Sequence, residues 1–174
     1  MPNERRILLI EDNPDDAEIT TRALSDSAFA PRIIHATDGR MALDYLFAEG
    51  AYAGRDPAPP DLILLDLSIP FVPGLDVLGH IRIDPRTRHL PVVVLTASGA
   101  EEDMIRSYNL GANSFVRKSH HHQQFVAALR EIERYWLASF CREEPQQAAN
   151  ADRTVPRPCG PPSAPPSLPP SQKG

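Results

Sequence analysis

The run Leu62-Ile-Leu-Leu-Asp66, closed by Pro59 and Pro60 on one side and by Ile69 and Pro70 on the other, leaves the chain little freedom of fold. Large apolar residues in an unbroken row, without alternation and too few for a helix, read as a strand buried on both faces. That is the signature of a parallel sheet covered by helices on each side. Asp66 then stands at the carboxyl end of a central strand, the edge where open α/β sheets place ligand sites. Taken alone, an Asp in this position more often only caps or turns the following loop. The remaining strands decide between the two readings.

Ile7 to Ile10 form a second run of this kind, stopped by Glu11-Asp12-Asn13-Pro14-Asp15-Asp16. Pro at a first helical turn, Asn13 as N-cap and acids behind it predict a helix from Pro14, with Ile19, Ala23 and Leu24 inward. A short strand follows over 32–35. Thr37 or Asp38 can then cap a helix carrying Met41, Leu43, Leu46 and Phe47, and a polar loop over 48–60 leads into the central strand. Beyond it the pattern predicts a helix over 74–83 stopped by Asp84-Pro85, and a strand over 90–95. The next helix holds Met104, Ile105, Tyr108 and Leu110 with Gly111 as its stop. A strand over 114–117 and a long helix over 123–140 complete the pattern. Five strands alternating with five helices make an α/β protein, a parallel sheet with helices on both faces.

The globular part ends near residue 141. The segment 142–174 holds nine of the 19 prolines among Ser, Ala, Gln and Gly, a composition that cannot bury enough surface to offset its ordering entropy and is expected to be a disordered tail. A net charge of −5 without basic clusters disfavours nucleic acid as a partner. Cys141 and Cys159 both follow the last periodic segment and form neither a disulfide framework nor a metal knuckle. No apolar run is long enough for a membrane span or a signal core, so a cytoplasmic location is expected.

Parallel strands point one way, so the residues that end them gather on one edge: Glu11 and Asp12, Asp66, Thr96 and Lys118. Three carboxylates brought together repel unless a cation or a shared proton intervenes. A hard divalent ion such as Mg²⁺, which takes few carboxylates and completes its shell with phosphate oxygens, suits the set and points to phosphoryl chemistry. Asp66 is the candidate nucleophile, Thr96 a donor to a phosphoryl oxygen, and Lys118 a point charge on it.

In this order the residues resemble the response regulator receiver family over 5–140. The family pattern is an acid pair after strand one, the phospho-accepting Asp after strand three, Thr-Ala after strand four and Lys after strand five. Pro70 and Gly74 match its loop, and Phe115, three residues before Lys118, matches its switch aromatic. The resemblance implies a flavodoxin-like (βα)5 fold with strand order 2-1-3-4-5. It also implies Mg²⁺ held by Glu11, Asp12, Asp66 and the Ser68 backbone carbonyl, and a sensor histidine kinase as phosphoryl donor. Such a chain catalyses only its own phosphorylation and dephosphorylation. A narrower likeness, to the single-domain regulators that accompany bacterial phytochromes, rests on Glu11 to Asp16, Leu90 to Thr96, Ser107 to Asn113 and Tyr135 to Leu137. Departures from the family are Ser119 where Pro usually follows the Lys, and Ser68 and Pro73 in the loop after the acceptor. With Ser98, these bear on the aim of Lys118 and on phosphoryl lifetime.

One alternative is a receiver-fold interaction module that takes no phosphate. Another is a flavodoxin-fold cofactor binder, but Glu11 to Asp16 would repel a cofactor phosphate where such proteins carry a Gly- or Ser-rich cradle. A haloacid-type phosphatase needs a second acid at position 68, which is Ser. His120, His121 and His122 point in different directions without spaced partner ligands and read as solvated. The last helix, about 27 Å long at 1.5 Å per residue, exceeds a strand length of about 17 to 20 Å. Trp136, Leu137 and Phe140 are therefore expected to overhang the core and to pair two copies as a homodimer.

Overall fold

The computed structural model describes residues 4–56, 58–97, 101–119 and 121–139. The tail expected over 142–174, Ser98, His120 and Phe140 all lie outside them. Strands β1 (Arg6–Ile10), β2 (Arg32–Ala36), β3 (Leu62–Asp66), β4 (Val92–Ala97) and β5 (Ser114–Lys118) alternate with helices α1 (Pro14–Ser25), α2 (Gly39–Phe47), α3 (Gly74–Ile83), α4 (Glu101–Asn109) and α5 (His122–Ser139). The sheet order is β2-β1-β3-β4-β5, with every pairing parallel.

The unbroken apolar runs are explained by two cores. Leu8, Ile10, Ile63, Leu65, Val92 and Val94 point to one face, where Ala42, Tyr45 and Leu46 of α2 and Val77, Leu78 and Ile81 of α3 cover them. Ile7, Leu9, Leu62, Leu64, Val93 and Leu95 point to the other, under Ala17, Ala23 and Leu24 of α1 and Phe125, Leu129 and Leu137 of α5. A strand that serves both layers has no polar face to show. No helix among the described residues is long and apolar enough to cross a membrane.

Helix starts follow local chemistry. Asn13 Oδ1 accepts from the amides of Asp15 at 2.9 Å and Asp16 at 3.3 Å, with Pro14 at the first helical position. Asp38 Oδ1 caps α2 through the Met41 amide at 2.7 Å. The loop expected over 48–60 contains a short 3-10 turn at Gly50–Tyr52. Strand β4 begins at Val92, two residues later than the apolar run: Pro91 has no amide to give the ladder, and Asn113 Oδ1 takes the Val92 amide at 2.8 Å. Within α4 only Ser107 is buried, while Ile105 and Tyr108, and Leu110 just after the helix, are exposed. The large apolar residues of this segment are thus mostly a surface feature.

The end of α5 corrects an expectation. Leu137, expected to overhang, is 1% exposed and belongs to the core beneath α5, and Trp136 is half-buried against the same core. The buried residues of α5 are Phe125, Leu129, Glu133 and Leu137, spaced by four, so the stripe stays on the domain to its last turn. Leu137 therefore has no surface to offer a second copy.

Glu133, in the middle of that stripe, was not singled out by its pattern. Its Oε1 accepts from Ser27 Oγ at 2.6 Å, and burial pushes its carboxyl above the usual range, against that bond and the Arg130 charge. A raised folded-state pKa means that the folded chain holds the proton more tightly than the unfolded chain. The resulting stabilisation is complete below the ordinary value of 4.5 and is lost as pH rises through the folded-state value. Glu133→Gln should therefore melt a few degrees above the parent at neutral pH and together with it below pH 4.5. Thermal unfolding at the two pH values checks this, and a lower melting temperature for the variant at neutral pH would contradict it.

Candidate functional site

Four strand ends converge. Glu11 follows β1, Asp66 closes β3, Thr96 is the penultimate residue of β4, and Lys118 ends β5. Glu11 and Asp66 are buried, at 0% and 6% exposure, and Asp12 is exposed. Among the described residues, Glu11, Asp12 and Asp66 form the one cluster with the spacing of a metal centre, their carboxylate oxygens lying within 4.8 Å of one another.

Lys118 enters this cluster from β5. Its ammonium donates to Glu11 Oε2 at 2.5 Å and to Asp66 Oδ2 at 2.5 Å, and also to Asp16 Oδ2 at 3.1 Å. Asp16 was not a candidate in the sequence reading. The available signal was its place in the first turn of α1, a few residues after the acid pair that follows β1. Asp66 is oriented from behind, where Ser68 N donates to its Oδ1 at 2.8 Å. Glu11 Oε1 accepts from the Asn13 amide at 3.1 Å, and the Glu11 carbonyl meets His35 Nε2 at 2.8 Å.

The loop after Asp66 is held by close approach. A Cβ on Gly74 would stand 2.6 Å from the Asp66 carbonyl oxygen and 2.5 Å from Leu67 Cα. Only glycine lets α3 begin this near the strand end. Thr96 is buried, and its Oγ1 donates to the carbonyl of its neighbour Ala97 at 3.1 Å. Phe115 is half-buried against the α2–α3 core, its ring edge-on to Tyr108 of α4 with centroids 4.3 Å apart. Ser119 turns away: its Oγ accepts from the His121 amide at 3.0 Å and faces Gln124 Oε1 at 3.4 Å, at the start of α5. His121 and His122 are exposed, as expected for solvated side chains.

The electrostatics follow from one cation facing several anions. Burial pushes the Glu11 carboxyl up to about 7, and the Asp66 charge adds to this, while the Lys118 hydrogen bond works against it. Burial alone would lower the Lys118 ammonium, but its bonds to Asp66 and Glu11 outweigh that and hold it above the ordinary lysine value. A single ammonium cannot neutralise Glu11, Asp12, Asp16 and Asp66 together. The surplus negative charge, lined with hard oxygen donors, fits a divalent cation.

The fold and this edge define a phosphoryl-accepting signalling domain, and comparison agrees. The chain matches the response regulator receiver domain over residues 7–130 and belongs to that family. It is 37% identical to response regulator Rcp1 of Synechocystis over 131 residues, 75% of this chain and 88% of that one. The Mn²⁺-bound form of Rcp1 superposes with a TM-score of 0.71, over 76% of this chain and 94% of that chain. The phosphorylated cyanobacterial phytochrome response regulator RcpA gives a TM-score of 0.73 at 38% identity, covering 79% of this chain and 96% of that one. The bacteriophytochrome response regulator AtBRR gives 0.65 at 44% identity, over 78% and 96%. Receiver domains of this family act as phosphoryl acceptors in two-component signalling, and the alternative of a cofactor-binding flavodoxin-like protein is set aside.

Proposed function

We propose that the protein takes a phosphoryl group on Asp66 from a sensor histidine kinase of the bacterial phytochrome type, in the cytoplasm, and passes the signal on by a changed binding surface. The observation that carries the reading is the convergence of Glu11, Asp12 and Asp66 around the Lys118 ammonium. The choice of kinase rests on the likeness to RcpA and AtBRR, which are phytochrome and bacteriophytochrome regulators.

Glu11, Asp12, Asp66 and the Ser68 carbonyl would hold Mg²⁺, which when bound neutralises charge on the transferring phosphoryl group. The Asp66 carboxylate attacks the phosphorus of a phosphohistidine, forming the O–P bond as the N–P bond breaks, and the imidazole leaves with the electron pair. The Ser68 amide fixes one carboxylate oxygen while Lys118 places its charge at the other. Only the chain's own phosphorylation and dephosphorylation are catalysed.

The response runs through Thr96 and Phe115. Among the described residues the Thr96 hydroxyl bonds its neighbour's carbonyl, a local partner readily exchanged for a phosphoryl oxygen. The space it leaves admits the Phe115 ring, which then parts from Tyr108. Ile105 at 61% and Tyr108 at 55% exposure form an apolar face on α4, and with Leu137 buried this is the surface proposed for self-association. One NMR sample tests the chain of events. On adding phosphorylated bacteriophytochrome kinase, the Phe115–Tyr108 ring contacts should vanish and the diffusion coefficient should fall. Unchanged ring contacts in fully phosphorylated protein would refute the switch, and unchanged diffusion would refute the homodimer.

A further inference from the structure

Lys118 has three N–H donors and no acceptor, and three carboxylates surround its ammonium: Glu11, Asp66 and Asp16. Two of them, Glu11 and Asp66, belong to the cluster suited to a cation, and Asp16 does not. With a cation in the cluster and a phosphoryl group on Asp66, the oxygens of Glu11 and Asp66 would take new partners. Asp16, outside the cluster, would be left to hold Lys118.

Asp16 is also rigidly placed. It lies in the first turn of α1, where Asn13 Oδ1 caps its amide at 3.3 Å, and its side chain is one-third exposed against 15% for Lys118. Lysine carries its charge on a flexible four-carbon stem that must be held to aim it. Ser119, the next residue, gives no help, since its hydroxyl faces the start of α5.

We infer that Asp16 is the positioning residue of Lys118, holding the ammonium over the acceptor carboxylate for phosphoryl transfer. This rests on the reading of Asp66 as the phosphoryl acceptor. The competing explanation is that Asp16 merely favours the positive end of α1, as acids in a first helical turn do.

The test uses the full chain with Mg²⁺ and acetyl phosphate, in the wild type, Asp16→Asn, Asp16→Glu, Lys118→Met and the Asp16→Asn, Lys118→Met pair. For an ion pair exposed to this degree, Asp16→Asn should slow labelling about two- to five-fold, and Asp16→Glu should restore it. In the Lys118→Met background the same change should have no effect, because a residue that acts through Lys118 has nothing left to position. Solvent exchange of the Lys118 ammonium protons, read by NMR with Mg²⁺ present and assigned by their absence in Lys118→Met, should quicken in Asp16→Asn while α1 amide exchange stays the same. Unchanged ammonium exchange, or an equal loss of rate with and without Lys118, would overturn the inference in favour of the helix-end role. A wild type that takes no label would instead refute Asp66 as acceptor, and the ammonium readout would still decide the place of Asp16.

Discussion

Asp66→Asn is expected to remain folded and to take up no phosphoryl group, a loss of about a hundredfold or more against the parent, because an amide offers no nucleophilic oxygen of comparable basicity. The fold should survive because the Asn oxygen can still accept the Ser68 amide bond, and Lys118 keeps Glu11 and Asp16. The buried site also loses one of its crowded carboxylates. Intact-mass measurement after incubation with acetyl phosphate and Mg²⁺ reads the outcome. Labelling of the variant at the parent's rate would mean that another carboxylate is the acceptor.

Removal of the divalent ion should have an effect of similar size. With a chelator present, Glu11, Asp12 and Asp66 present more negative charge to an incoming phosphoryl group than the Lys118 ammonium offsets. Asp12→Asn should mimic the chelator in part, since it removes the exposed member of the set. The dependence on pH follows from Glu11, whose carboxyl is pushed up to about 7. Below that value a proton competes with the ion for the same oxygens, so affinity for Mg²⁺ should rise with pH through about 7 and level off above it. Each unit below costs up to about a tenfold loss. Affinity independent of pH between 5.5 and 8 would contradict the placing of Glu11 in the metal centre.

The parts of the fold that were legible are those where one local rule dominates. Unbroken apolar runs ending at acids located β1 and β3, and Asn13 with Pro14 fixed the start of α1 to the residue. Strand order was not in the periodicity; it came with the resemblance to receivers. The misjudged places depend on distances that one sequence does not encode. How far the sheet extends beneath α5 decides whether Leu137 is covered, and a comparison of average element lengths assumed that it is not. The pattern put Met104, Ile105, Tyr108 and Leu110 on one helix without saying which of them face the core, and Ile105 and Tyr108 face outward. Of the site, the strand-end residues were legible because parallel strands must share an edge. Asp16 was not, because its role depends on how closely the first turn of α1 approaches the end of β5.

The acceptor itself gives the most direct test. Phosphorylated wild-type protein, with the group donated by an autophosphorylated bacteriophytochrome kinase in the presence of Mg²⁺, can be reduced with borohydride, which converts an aspartyl phosphate to homoserine. Peptide mass spectrometry then locates the converted residue. Homoserine at position 66, and at neither position 12 nor position 16, is the expected result. Its absence from position 66 in protein that has demonstrably taken up phosphate would contradict the account.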